Sequence, residues 1–216
     1  MLEGHLQRLA TDDPGLESSA DTRTRLKGHF APGATRRMTT LGMLVGRVVS
    51  ELGPGGIDAI VYASEYAESS ALEGFLDSFP SASPTLFQTS IHPSAVQQMM
   101  IARQTPVPEL FPLSGGPLFA FHALRAALLS PSPTVLLCGG EERGSWLLEH
   151  GLASNRTFAF AARVAKSPAG SLARILLTPG AVDGSLALAA WFDLLHRRLP
   201  FAGPVAPGWR LDLEWR

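Results

Sequence analysis

Only one cysteine, Cys138, occurs in the 216 residues, which excludes an internal disulfide and any zinc site built from several thiolates. Charge is scarce as well. Lys, Arg, Asp and Glu make up 17% of the chain and nearly cancel, leaving a formal net charge of −1. No broad basic field is therefore available for nucleic-acid phosphates or an anionic membrane. No apolar run reaches the roughly 18 residues that a membrane-spanning helix needs. The opening "MLEGHLQRLATDDPGLE" carries acids early and has no apolar stretch of signal-peptide length. These absences lead us to expect a cytoplasmic protein without a membrane span or a nucleic-acid partner. Hydrophobic residues, by contrast, reach 45%, enough for a sizeable core in one domain.

Residues 1–35 are polar and interrupted by Pro14, Gly15, Gly28, Pro32 and Gly33, and read as an irregular segment with a short helix or two. From Arg36 the pattern becomes that of a single α/β domain, 36–216. "RRMTTLGMLVGRVVSEL" (36–52) spaces apolar residues on one helical face and is broken by "GPGG". "IDAIVYASEY" (57–66) reads as a buried strand. "SSALEGFLDSF" (69–79) reads as a helix capped by Ser69 or Ser70, with Glu73 as the reciprocal capping residue. In 85–104 the second half is helical, with Pro93 at the first turn. A short extended piece, 107–114, leads into the apolar helix 116–130, and "TVLLCGG" (134–140) is a buried strand. Two strands around "PAGS", 157–167 and 172–180, suggest a hairpin. A helix over 183–199 and an alternating tail, "WRLDLEWR", predicted as an edge strand, complete the chain.

"PLSGG" places Ser114 where a strand turns into a helix, a position at which many α/β enzymes carry a nucleophile. A serine nucleophile needs a base, an orienting acid and oxyanion donors. The amides of Gly115 and Gly116 are candidate donors, and Asp183 or Asp193 with His196 are the only loose match to an acid-then-histidine order. Pro112 stands where a hydrolase elbow has glycine. A packing turn with Ser114 as helix cap is the competing reading. His92, His122, His150 and His196 show no metal-ligand spacing, so no metal site is expected. His92 stands out among them, set in "SIHPSA" just before a helix. Arg36 and Arg37 sit at a predicted helix start, where cations oppose the dipole, and could meet an acid on this chain or on a partner.

Taken in order, "SPTLFQTSIHPSAVQQMMIA", "TPVPELFPLSGGPLFAFHALRAALL", "TVLLCGGEE" and "FAFAARVAKSP" resemble the N-terminal half of a β-ketoacyl synthase, of the thiolase-like superfamily. With "RRMTTLGMLV" and "GWRLDLEWR", the likeness is to the short chain length factors of aryl polyene-type pigment clusters. The resemblance implies an α/β thiolase-like half-domain, a mixed, mostly parallel sheet flanked by helices, and no cofactor. It also implies a missing nucleophile. An active synthase has Thr-Ala-Cys at this turn, and here the cysteine position falls on Ser114 or Leu113. The two histidines of an active synthase, in His-Gly-Thr and Gly-His-x-x-Gly contexts, have no counterpart. The implied role is a non-catalytic subunit that pairs with a ketosynthase and shapes its acyl tunnel, meeting an acyl carrier protein only indirectly. Its candidate tunnel or interface residues are His92, Gln97, Gln98, Met99, Met100, Leu118, Phe119 and Phe121. A serine-dependent acyltransferase or hydrolase using Ser114 is the alternative.

Overall fold

A computed structural model describes residues 1–53, 57–104, 106, 109–116 and 118–216. The strands are β1 (Leu2–Asp12), β2 (Ala59–Ser64), β3 (Glu109–Ser114), β4 (Thr134–Glu141), β5 (Phe158–Ala165), β6 (Ala173–Pro179), β7 (Phe201–Ala206) and β8 (Trp209–Trp215). They form one mixed sheet in the order β3-β2-β4-β5-β1-β6-β8-β7. The helices are α1 (Ser19–Leu26), α2 (Thr40–Glu51), α3 (Ser69–Leu76), α4 (Pro84–Ser90), α5 (Ser94–Arg103), α6 (Phe119–Leu129), α7 (Trp146–Glu149) and α8 (Leu188–His196).

The core divides into two clusters, one on each face of the sheet. Alternation in β2 makes the division visible: Ala59, Val61 and Ala63 face one cluster, Ile60 and Tyr62 the other. The first cluster is closed by α6 and by Trp191, Phe192 and Leu195 of α8. The second is closed by Leu41, Leu44, Val45 and Val48 of α2 and by Ala95, Val96 and Met99 of α5. Each large apolar side chain fully buried in this way contributes about 1.5–3 kcal/mol. The Thr39 hydroxyl starts α2 by accepting from the Gly42 amide at 2.9 Å.

Several expectations are corrected. The segment read as irregular begins with an eleven-residue strand, β1, deep within the sheet. A bulge between Leu6 and Arg8 hides it in the sequence. Leu2, Leu6 and Leu9 all pack on the same cluster although their spacing breaks period two, and Ala10 then faces the other. The expected hairpin is absent because β1 lies between β5 and β6: His5 is registered with Ala165 on one side and Arg174 on the other. Among the eight described strands parallel pairing is confined to β2–β3 and β2–β4, and the remaining strand pairs are antiparallel, so the sheet is mixed but not mostly parallel. Parallel neighbours need a crossover connection, and α3 to α6 supply the crossovers that bring β3 and β4 back beside β2.

At the C-terminal end, β8 is flanked by β6 and β7, and β7 is the edge, where Pro204 is tolerated. Helix α2 begins at Thr40, four residues beyond the expected start, and Arg36 and Arg37 lie in a one-turn 3-10 helix. Helix α8 begins at Leu188, after Gly184 with φ 125°. Helix α4, with Ser83 as its cap, was not anticipated. Pro54, Gly55 and Gly56 of the expected helix break, Val107 and Pro108 of the extended piece, and Pro117 of the apolar helix lie outside the described residues.

Candidate functional site

Ser114 is the last residue of β3, registered with Ser64 of β2, and is exposed. Gly115 and Gly116 follow at φ 81° and 92°, values a side chain rarely adopts, and this reverses the chain toward α6. The Gly115 amide donates to the Glu65 carbonyl at 3.2 Å, so it is occupied as an oxyanion donor. The cap of α6 is Leu118, without a side-chain hydrogen bond, so Ser114 does not cap the helix. Among the described residues, the Ser114 hydroxyl has no hydrogen-bond partner. The triad partners are engaged elsewhere. His196 Nδ1 meets the Thr11 hydroxyl at 2.9 Å and its ring stacks on Phe192, Asp193 accepts from Arg156 at 2.9 Å, and Asp183 is exposed. Leu113 packs partly buried against the α6-side core.

Beside this turn lie four acids, Glu68, Glu73, Glu141 and Glu142, of which the sequence reading singled out only Glu73, and that as a helix cap. β2 has β3 on one side and β4 on the other, so the carboxyl ends of β2 and β4 form the crevice where open α/β sheets bind ligands. A trench of about 340 Å³ in this region is lined by Ser19, Thr40, Ser70, Glu73, Glu142 and Ser145. Glu141, 2% exposed, accepts from the Glu65 amide at 2.5 Å and the Ser64 hydroxyl at 3.3 Å. Burial pushes its carboxyl up to about 8, against the opposing pull of the amides of Glu65 and Tyr66. Burial likewise raises Glu142, which accepts from the Leu41 amide at 3.2 Å and the Ser19 hydroxyl at 3.1 Å.

Glu73 does not serve as a capping-box residue for α3. Its carboxylate accepts from the amides of Ser145 and Leu147, at 2.8 and 2.7 Å, and so caps α7; the residue at the start of α3 is Glu68, without a side-chain cap. Glu68 joins α3 to α5, accepting from the Ala95 amide at 3.1 Å and meeting His92 Nδ1 at 2.9 Å. The His92 ring stacks on fully buried Tyr62, with centroids 5.4 Å apart. A carboxylate-oriented imidazole is one element of a base, but among the described residues no nucleophile is hydrogen-bonded to its Nε2. The sole thiol is equally unsuited, because burial pushes Cys138 up to about 12. These acids satisfy backbone amides and one imidazole and thereby hold loops in place. A detectable signal was the acid pair closing an apolar strand in "CGGEE".

The candidate wall residues separate. Phe119 and Phe121 are buried in the cluster on one face of the sheet, with Leu118 against it, whereas Met99 is buried on the other face, with Met100 against it. Gln98 accepts from the Thr39 amide at 2.9 Å and so fixes the start of α2, while Gln97 is exposed. The exposed apolar surface lies next to these. Leu72, Leu76, Phe79, Leu86, Phe87 and Ile91 are at least one-third exposed on α3, α4 and the turns that follow them. Phe75 knits this layer, with ring centroids 5.3 Å from both Phe79 and Phe87. Ile101 on α5 is 75% exposed. Strand β3 pairs only with β2 and presents Phe111 on its outer part.

No protein-family model and no curated protein matches the sequence. Among solved structures, the chain is similar to a chain of the complex of the ketosynthase ApeO with its chain length factor ApeC from Xenorhabdus doucetiae. The TM-score is 0.70 at 18% identity, covering 99% of this chain and 100% of that one. PksG, an HMG-CoA synthase from Bacillus, matches with a TM-score of 0.45 and 11% identity over 84% of this chain and 46% of its own. The fold is thus thiolase-like, a mixed eight-stranded sheet between helices. No helix among the described residues is long and apolar enough to cross a membrane.

Proposed function

We propose that this chain is a non-catalytic subunit of the chain-length-factor type, pairing with a ketosynthase in polyketide, aryl polyene or fatty-acid-like biosynthesis. The observation that carries the reading is the mutual, full-length coverage by a chain from a ketosynthase–chain length factor complex. The turn that would hold a nucleophile supports it, since Ser114 is exposed and, among the described residues, has no base hydrogen-bonded to it. The partner surface is the apolar layer of α3 and α4, with Ile101 and the unpaired side of β3; such a patch marks an interaction site. Methionine adapts to irregular apolar walls, and Met100 and Leu118, only partly buried, are the candidates able to meet an acyl chain held in the partner. Met99, Phe119 and Phe121 act through packing beneath them. The acyl carrier protein delivers to the ketosynthase and meets this subunit only indirectly.

The test is co-expression with a full ketosynthase from the same organism. A stable complex on purification is expected, with no condensation by this chain alone. A stable lone monomer that fails to co-purify with that ketosynthase refutes the reading.

A further inference from the structure

Arg23, Arg25, Lys27, Arg36 and Arg37 fall within residues 23–37, and no acidic residue lies between them. In a chain of net charge −1, this is a local run of one sign. The fold divides these cations into two groups. Arg25 is neutralised, donating to Asp12 at 2.9 Å and to Glu17 at 3.0 Å. Asp21 is occupied at the start of α1, where it accepts from the Ser18 hydroxyl at 2.7 Å. The acids nearest in sequence are thereby engaged.

Arg23, Lys27 and Arg36 instead line one open cavity of about 530 Å³, together with Thr35, and no carboxylate lines it. Among the described residues, Lys27 and Arg36 form no ion pair. Arg23 donates to the Met38 carbonyl at 2.7 Å and the Thr35 carbonyl at 3.2 Å. Both acceptors are neutral and hold its guanidinium in position; among the described residues it makes no ion pair, its nearest electrostatic partner being the buried Glu142 carboxyl. It also ties α1 to the 3-10 turn (Ala34–Arg37), fixing the two walls of the cavity relative to each other. Arg37 lies in the adjoining groove, which Arg23 and Arg36 share and which Glu142 also lines.

Like charges brought together around a cavity repel unless an anion sits between them. A phosphate group has the charge and the acceptor oxygens to engage a guanidinium fork and an ammonium at once. We propose that this cavity binds a phosphate group, carried either by a soluble phosphate ester or by the headgroup of an anionic lipid. A nucleic acid is a poorer occupant, since it needs a longer basic track than one cavity supplies. The inference is independent of the pairing with a ketosynthase.

Calorimetric titration of the full chain with glycerol phosphate and with pyrophosphate tests the soluble source. Flotation with phosphatidylcholine vesicles, with and without phosphatidylglycerol, tests the lipid. The variant Lys27→Gln/Arg36→Gln changes exposed side chains and should melt as the wild type does; Arg125→Gln/Arg197→Gln is the charge-matched control. Saturable binding in either arm should weaken about tenfold for each cavity cation removed, stay unchanged in the control and fall with salt. Binding of the soluble esters assigns the first source, and binding only to phosphatidylglycerol vesicles the second. The proposal is overturned if neither arm binds, if the cavity variant binds like the control, or if a DNA duplex binds more tightly than every phosphate probe.

Discussion

Replacing Glu141 by glutamine tests the idea that the acid at the crevice is held protonated by the fold. Glu141 is 2% exposed and its carboxyl is pushed up to about 8, burial being the largest cause. In the unfolded chain a glutamic acid titrates near pH 4.5. Between these values the native state holds a proton that the unfolded state has released. Stability therefore falls as pH rises from about 4.5, at up to ~1.4 kcal/mol per unit for this one group, and levels off above about 8. The full difference is about 5 kcal/mol, comparable with the whole stability of a small domain. Glutamine keeps an acceptor for the Glu65 amide and the Ser64 hydroxyl but cannot ionise. Urea denaturation of wild type and Glu141→Gln should be followed across this pH window. The variant should gain on the wild type as pH rises, because only the wild type must ionise a buried carboxyl. Parallel curves for the two proteins between about pH 5 and pH 8 would refute the reasoning.

Gly139→Ala should destabilise by about 3 kcal/mol or more, read by chemical denaturation, because a Cβ there overlaps the backbone carbonyl of Ala63, which cannot swing aside. Glu73→Ala should cost about 3 kcal/mol by the same measurement, leaving the amides of Ser145 and Leu147 without their acceptor; Glu73→Gln should cost less. Ile91→Glu/Ile101→Glu should abolish co-purification with the ketosynthase while moving the isolated chain's stability by no more than about 1 kcal/mol, since both side chains are largely exposed. Ser114→Ala should leave stability within ~0.5 kcal/mol, and the wild type should not be labelled by a serine-reactive phosphonate.

The strands and helices legible in the sequence were those whose residues are buried in a regular period. β4 is an uninterrupted apolar run because both of its faces are covered, and α2 and α6 present apolar faces to the sheet. β1 was illegible because its bulge shifts the inward-facing residues from even to odd positions, mixing polar and apolar residues along the strand. Ser114 could be placed at a strand-to-helix turn from its glycines, but whether a base stood beside it depended on where α8 packed. That helix sends His196 to Thr11, in a strand that had not been recognised. The acids of the crevice were equally hidden: a glutamate reads as solvated until the fold buries it. Glu73 shows the consequence, since its spacing from Ser69 suggested a local cap, whereas its carboxylate reaches across 72 residues to the Ser145 amide.

By itself the sequence determined the α/β class, the buried strand β4, the helices α2 and α6 that pack on the sheet and the serine and glycines at the turn before α6, because these rest on local periodicity and residue identity. The tertiary structure alone decided the order of the strands, the placing of β1 between β5 and β6, and the separation of Met99 from Phe119 and Phe121 by the thickness of the sheet. It also decided which charges are neutralised and which converge, as with Arg25 and Arg36. Strand order, burial and charge pairing depend on contacts between residues far apart in the chain, and no local pattern encodes which of those contacts form.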